Sequence, residues 1–204
     1  MTIILIAITC VISVLSFNNS DLFSKLMLNP FRVYHQKEYY RLITHGFVHA
    51  DWMHLIVNML VFYSFGNVVE YNFQLLEKAG ILHNANLWFI GFYLAGIVIS
   101  SLTTMFKHKD HEFYNSVGAS GAVSAILFCS IFFSPLGKIL LFAVIPIPGI
   151  IFGPLYLAYC YYMSKRNADN INHDAHFIGA VFGFLFPLMI RFSLYNIFIE
   201  NLLT

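Results

Sequence analysis

The sequence predicts an all-α, polytopic membrane protein: a single domain over residues 1–204 built as a six-helix bundle. Three observations carry that expectation. Of 204 residues, 59% are hydrophobic and only 10% charged, whereas soluble domains carry about 25% charged residues. Mean hydropathy is +0.72. Six apolar segments approach the length of about 20 residues that crosses a bilayer, and the few polar residues within them gather at the starts of alternate segments.

The segments follow in order. The first, 2–18, begins almost at once. It lacks the basic leader of a signal peptide and no small-x-small cleavage site follows, so a retained, short first span is expected. The connection 19–52 is too apolar for plain linker: Phe31, Val33, Tyr34, Tyr39 and Tyr40 alternate with Arg32, Lys37 and Arg41. That mixture suits a structured loop half sunk in the membrane interface. Spans two and three are expected at 53–71 and 87–106, and span four at 117–134. Residues 138–148 are apolar but broken by Pro146 and Pro148, which lack backbone donors, and read as an interfacial lead-in to span five at 149–163. Span six is expected at 175–193. Such short spans imply tilt or local thinning of the bilayer. Asp51 is placed to cap span two, Asn115 or Ser116 span four, and Asn172 or Asp174 span six. The loops 107–116 and 164–173 are polar and expected to be mobile.

Composition excludes several classes. Net charge is +1 with no basic run, so nucleic acid is not an expected partner. Cys10, Cys129 and Cys160 are scattered through apolar runs, with neither a disulfide framework nor paired zinc-ligand spacing, and read as buried small hydrophobes.

In a six-span chain, spans two, four and six enter from the same face. His54 and Asn58, Ser120, and His176 lie within about the first two turns of those spans, so they share one leaflet. Polar side chains there need a partner, a cavity or a function. Ser120, in Gly118-Ala119-Ser120-Gly121, sits where free backbone N–H groups and the positive helix end favour a developing oxyanion. Alone, that run reads as a packing face before a catalytic one, with Ser116, Ser120 and Ser124 in register. His176 lies one turn before Gly179, and Gly179 and Gly183 form a G-x-x-x-G seam that admits a close helix crossing. Such a crossing brings an imidazole within reach of a facing serine. His173 is the competing base, expected further out in the polar loop. His54 and Asn58, four residues apart, project from one helix face and can clamp an oxyanion or another helix.

Other chemistries fit less well. His45 and His49 share the four-residue spacing, but no thiolate or carboxylate completes a familiar zinc set, so no metal and no cofactor is expected. There is no His-Glu-x-x-His. Asp174 and Glu70, expected at span ends, do not face one another as an aspartyl dyad requires. Asp174 reads as a cap, which leaves a Ser–His dyad without an acid. A catalytically silent partner-binding protein would be expected to lack the serine or the histidine. A histidine-relay transporter would carry polar residues through both leaflets.

Together these motifs resemble the rhomboid family of intramembrane serine proteases, from about Arg41 to Gly183. The resemblance rests on His45-Gly-Phe-Val-His49-Ala-Asp-Trp-Met-His54-Leu-Ile-Val-Asn58, on Glu70, on Gly118-Ala-Ser-Gly121, and on Ala175-His176 with Gly179 and Gly183. It implies a six-helix core, Ser120 as nucleophile, His176 as general base, and an oxyanion site of His54, Asn58 and the Ser120 backbone N–H. Gly118, Gly121, Gly179, Gly183, Arg41 and Glu70 are then supporting positions. It implies single-span membrane-protein substrates with small residues at the cut site, and a setting in the lipid bilayer, a bacterial cytoplasmic membrane by expectation. It also implies an N-terminus inside and a site facing outward. The cation count opposes that orientation: Lys25, Arg32, Lys37, Arg41, Lys107, Lys109, Lys165 and Arg166 would lie outside, against Lys78, Lys138 and Arg191 inside. The family topology is followed, with the loop cations placed at the interface. Two departures stand out. Many rhomboids carry a Tyr four residues after the nucleophile, stacked on the base; here it is Ser124. Their Trp-Arg pair reads Tyr40-Arg41. Oligomeric state is not indicated. Water must reach Ser120, so a polar cavity is expected beneath residues 164–173.

Overall fold

A computed structural model describes residues 1–141, 144–166 and 169–203. The fold is all-α apart from one small hairpin. Helix α1 (Thr2–Phe17) leads into a connection that is itself helical: α2 (Ser20–Leu26), α3 (Pro30–Gln36), α4 (Arg41–Thr44) and a 3-10 turn at His45–Phe47. Then come α5 (Trp52–Lys78), α6 (Ala85–Lys107) and α7 (Ser120–Phe133). Strands β1 (Lys138–Leu141) and β2 (Ile145–Pro148) pair antiparallel, Lys138 opposite Pro148. Helices α8 (Gly149–Arg166), α9 (His173–Ile190) and α10 (Tyr195–Leu203) complete the chain.

Each expected span has a helix, but their lengths differ. Only α5, α6 and α9 are, among the described residues, long and apolar enough to cross a membrane. Helices α1 and α7 are apolar but shorter. Helix α8 has 18 residues but carries Tyr156, Tyr159, Tyr161 and Tyr162 and contains Pro154. Within the segment expected as a lead-in, 138–141 and 145–148 pair as strands, with both prolines in β2, where the two-stranded ladder leaves an edge for residues without a donor.

Helix α7 is apolar all round, which marks a central helix, and every one of its residues except Ser120 is buried. It packs most extensively against α9, and also against α5 and α6. The α7–α9 approach depends on glycine. A Cβ built on Gly179 would fall 2.1 Å from the Gly121 carbonyl oxygen, and one on Gly183 would fall 2.0 Å from that of Ala125. The two backbones therefore touch along the expected seam. At the other end of α9, aromatic rings fill the space between helices, with Phe92 of α6 stacked on Phe186 at 4.3 Å.

The connection before α5 is held by its own polar groups. Arg41 is 1% exposed. Its Nη1 donates to the carbonyls of Ser24 and Met27, both at 2.8 Å, and its Nε pairs with Glu38. The guanidinium lies 5.4 Å from the Tyr40 ring centroid. The aromatic–cation pair expected at the interface thus exists, but Arg41 points inward and clasps the loop. Glu70 also differs from expectation. Helix α5 runs about two turns past it, and its carboxylate accepts from Thr2 N and Thr2 Oγ1 at 2.8 Å, tying α5 to α1.

Candidate active site

Three helices begin at one end of the bundle. Their starts are set by local chemistry. Asp51 accepts from His54 N at 2.8 Å and caps α5. Asn172 accepts from Ala175 N at 3.1 Å and caps α9. Asp174, the alternative cap, instead meets Lys107 of α6 at 3.3 Å. The expected cap on α7 is absent: Ala119 precedes Ser120 with no side-chain bond. Ser116 exchanges backbone bonds of 3.0 Å with Leu28, and Asn115 Oδ1 accepts from Asn29 at 3.1 Å. Ser116 therefore lies outside the helix and does not share a face with Ser120 and Ser124. These bonds, with Asn29 Nδ2 on the Glu112 carbonyl at 2.8 Å, tie the 107–116 connection to the loop before α5.

Ser120, His54, Asn58 and His176 line one cavity of about 1190 Å³. Asp169 and His173 line it too, so the cavity reaches the segment expected to cover it. Residues 167 and 168 of that segment lie outside the described residues. Three contacts draw the walls together. Gly118 has φ +112, a conformation that favours glycine. A Cβ there would fall 2.7 Å from His54 Nε2, so the imidazole lies directly against the backbone leading to Ser120. A Cβ on Gly121 would fall 2.5 Å from Ser100 Cβ of α6 and 3.4 Å from the Ala175 carbonyl, so the residue after Ser120 abuts the one before His176. Asn172 Nδ2 donates to Thr104 Oγ1 of α6 at 2.6 Å and fixes the α9 start. Arg41 and Glu70 stand apart from the cavity, in the loop clasp and the α1–α5 junction.

The approach to Ser120 is braced by residues the sequence did not single out for that role. Gly118 N donates to the His45 carbonyl at 2.9 Å. His49 is fully buried. Its Nε2 accepts a long bond, 3.5 Å, from Ala119 N, and its Nδ1 lies 2.9 Å from Ser13 Oγ, which donates to the Phe47 carbonyl at 2.9 Å. That chain requires a neutral ring with its proton on Nδ1. Burial pushes His49 down to about 3, helped by repulsion from His54 and opposed by Asp51. Burial likewise pushes His45 down to about 4. The signal for His49 was present, since it follows His45 by four residues, but spacing alone suggested metal.

His173 is also placed differently from expectation. It is the first residue of α9, 4% exposed, with Nε2 at 3.1 and 3.2 Å from the two Asp169 oxygens. Tyr159 meets its ring edge-on at 5.5 Å, and its own ring meets that of His176 at 6.0 Å. Asp169 lies in a bend outside the helices, where its carboxylate gave no periodic signal.

A family model described as "Rhomboid domain" matches residues 36–192. RHOMBOID-like protein 12, mitochondrial, of Arabidopsis thaliana is 28% identical over 177 residues, covering 76% of this chain and 49% of the plant protein. Rhomboid protein 1, mitochondrial, of Saccharomyces cerevisiae is 33% identical over 111 residues, covering 53% of this chain and 29% of the yeast protein. The chain thus spans at most about half the length of these relatives. With a matching family model over well over half its length and apolar helices long enough to span a bilayer, this integral membrane chain belongs to the rhomboid family.

Proposed function

We propose that the chain is an intramembrane serine endopeptidase with a six-span membrane domain, cutting single-span membrane proteins by a Ser120–His176 dyad. The observation that carries this reading is the convergence of Ser120, His176, His54 and Asn58, from three helix starts, on one cavity.

The chemistry follows from those positions. Ser120 Oγ attacks the scissile carbonyl while His176 takes its proton. The carbonyl oxygen becomes an oxyanion held by the Ser120 N–H, His54 and Asn58. His176 returns the proton to the leaving amine as the C–N bond breaks. Water entering the cavity then attacks the acyl-enzyme, with His176 again as base. A helical substrate hides its carbonyls in hydrogen bonds, so the cut segment must first become extended. In this reading the cavity faces the side opposite the N-terminus. The bacterial setting expected from the sequence has no support in the relatives, both named as mitochondrial, and the proposal requires only a bilayer.

The test is cleavage of a reconstituted single-span substrate, with fluorophosphonate labelling in parallel. Ser120→Ala should abolish both while leaving the melting temperature unchanged. Cleavage near the parent rate would remove Ser120 as nucleophile. Labelling should require His176; if His176→Ala labels as fast as the parent, the base is elsewhere, and His173 is the first suspect.

A further inference from the structure

Three donor groups that peptide hydrolysis does not use together meet beside His176. Cys160 Sγ of α8 and one ring nitrogen each of His173 and His176 of α9 all lie within 4.8 Å of one another. Cys160 is fully buried. His173 keeps Nε2 on Asp169, and its Nδ1 is buried without a hydrogen-bond partner among the described residues. A buried ring nitrogen left unpaired is costly. A histidine bonded to a carboxylate through one nitrogen, with the other free, is the arrangement that orients metal-ligating imidazoles.

We propose that Cys160, His173 and His176 form an inhibitory site for a thiophilic divalent cation of the zinc class, with Asp169 orienting His173. One thiolate and two imidazoles suit a tetrahedral zinc ion, with the fourth position left for water. Binding forms an S–metal bond, and the Cys160 proton leaves to solvent. The thiolate balances one of the two positive charges inside, and the solvent-facing Asp169 carboxylate behind His173 balances the other. Asp169, His173 and His176 line the cavity, which gives the ion a route.

Inhibition rests on the protease reading; binding does not. A neutral imidazole has one ring nitrogen with a free lone pair. Whichever His176 nitrogen takes the metal, the other carries the proton and cannot accept one from Ser120. The metal and the serine therefore compete for the same lone pair.

The experiment titrates the purified full chain in detergent with Co²⁺. A thiolate-to-cobalt charge-transfer band should appear, saturate at one ion per chain, and vanish when Zn²⁺ displaces the cobalt. Cys160→Ser should lose the band, and Asp169→Asn should weaken the affinity by about 10–100-fold. Cleavage of a reconstituted single-span substrate is measured alongside, in chelator and in Zn²⁺. The parent should lose cleavage in Zn²⁺ and regain it in chelator, whereas Cys160→Ser should cleave equally in both. No band in the parent, or a band that persists in Cys160→Ser, overturns the site. Activation by Zn²⁺, or equal inhibition of Cys160→Ser, overturns the inhibitory role. A band without any cleavage in chelator would remove the protease reading and the inhibition with it, but keep the site; cleavage without a band does the reverse.

Discussion

Tyr156 of α8 and Ser124 of α7 share a hydrogen bond of 2.9 Å. Ser124 lies one turn beyond Ser120, at the position where many rhomboids carry a tyrosine. The phenol here reaches that position from a different helix. Tyr156 does not stack on His176: among the described residues its ring contacts are Phe128 and Phe152, each at 5.6 Å. The ring beside His176 is His173, fixed by Asp169 on one side and Tyr159 on the other.

The two partners of that bond should respond unequally to mutation. Tyr156→Phe leaves a serine that can turn to a carbonyl one turn back, so the loss should be about 1 kcal/mol. Ser124→Val removes one of the two side-chain partners of a partly buried phenol, the other being Cys160, and puts a branched side chain against it, so it should cost more, about 1–3 kcal/mol. Thermal melts in detergent check this; equal losses would mean that Cys160 alone satisfies the Tyr156 hydroxyl.

The glycine seam should govern the rate of chemistry. In Gly179→Ala the new methyl meets the Gly121 carbonyl, one residue from Ser120, and pushes α9 outward. A shift of about 1 Å can cost ~100-fold, and Gly179→Val should be worse still. A Cβ on Gly153 sits at an ordinary 3.5 Å from Phe128, so Gly153→Ala should label at the parent rate. Serine-probe labelling of variants matched for melting temperature decides; equal rates at the two glycines would show that the seam does not position the base.

His54 and Asn58 should affect turnover more than substrate binding. An oxyanion contact forms mainly in the transition state, so kcat should fall while KM barely moves. Loss of one donor typically costs about 2.7–4 kcal/mol, and less where three donors share the charge. Asn58→Ala is the cleaner variant, because His54 also packs on Gly118. A rise in KM alone would move both residues to substrate binding.

Acid should destabilise the fold through His45 and His49. Both have folded values below the ordinary 6.5, so below that pH the unfolded chain binds protons that the folded chain refuses. Stability is fully present above about pH 6.5 and falls as pH drops towards 4 for His45 and 3 for His49. Melting temperature should therefore decline from about pH 6.5 to about pH 4.5. In His49→Gln that slope should be shallower; an unchanged slope would assign the acid sensitivity elsewhere.

The sequence carried the helices and the convergence of the candidate site residues because both are written in local patterns. Apolar runs set the segments, Asp51 and Asn172 set two helix starts, and parity put His54, Ser120 and His176 at one end. The seam was readable because small residues recur every four positions. What sequence could not supply depends on partners far along the chain. Ser116 and Asn115 pair with Leu28 and Asn29, so neither caps α7. Arg41 turns inward because carbonyls at Ser24 and Met27 await it. Cys160 and His173 meet only because α8 lies against α9. Helix α10 was missed because it is short and follows a 3-10 turn at Phe192–Leu194; it is held by Asn201 Nδ2 on the Phe133 carbonyl at 2.8 Å.

Helix α7 has 14 residues, a rise of about 21 Å, against roughly 30 Å of hydrocarbon. Wrapped by protein along its whole length, it is relieved of the need to reach both surfaces. In the proposed membrane setting, its shortness leaves vertical room for the cavity that Ser120 lines. In a bilayer, the depth of Ser120 would thus be a ruler reading, set by how many residues separate it from Phe133. Adding one turn to α7 would lift the hydroxyl towards bulk water, and removing one would sink it out of reach. In the proposed protease, that depth would set which stretch of a passing helix meets Ser120, so the length of a buried helix would select the bond without touching the substrate.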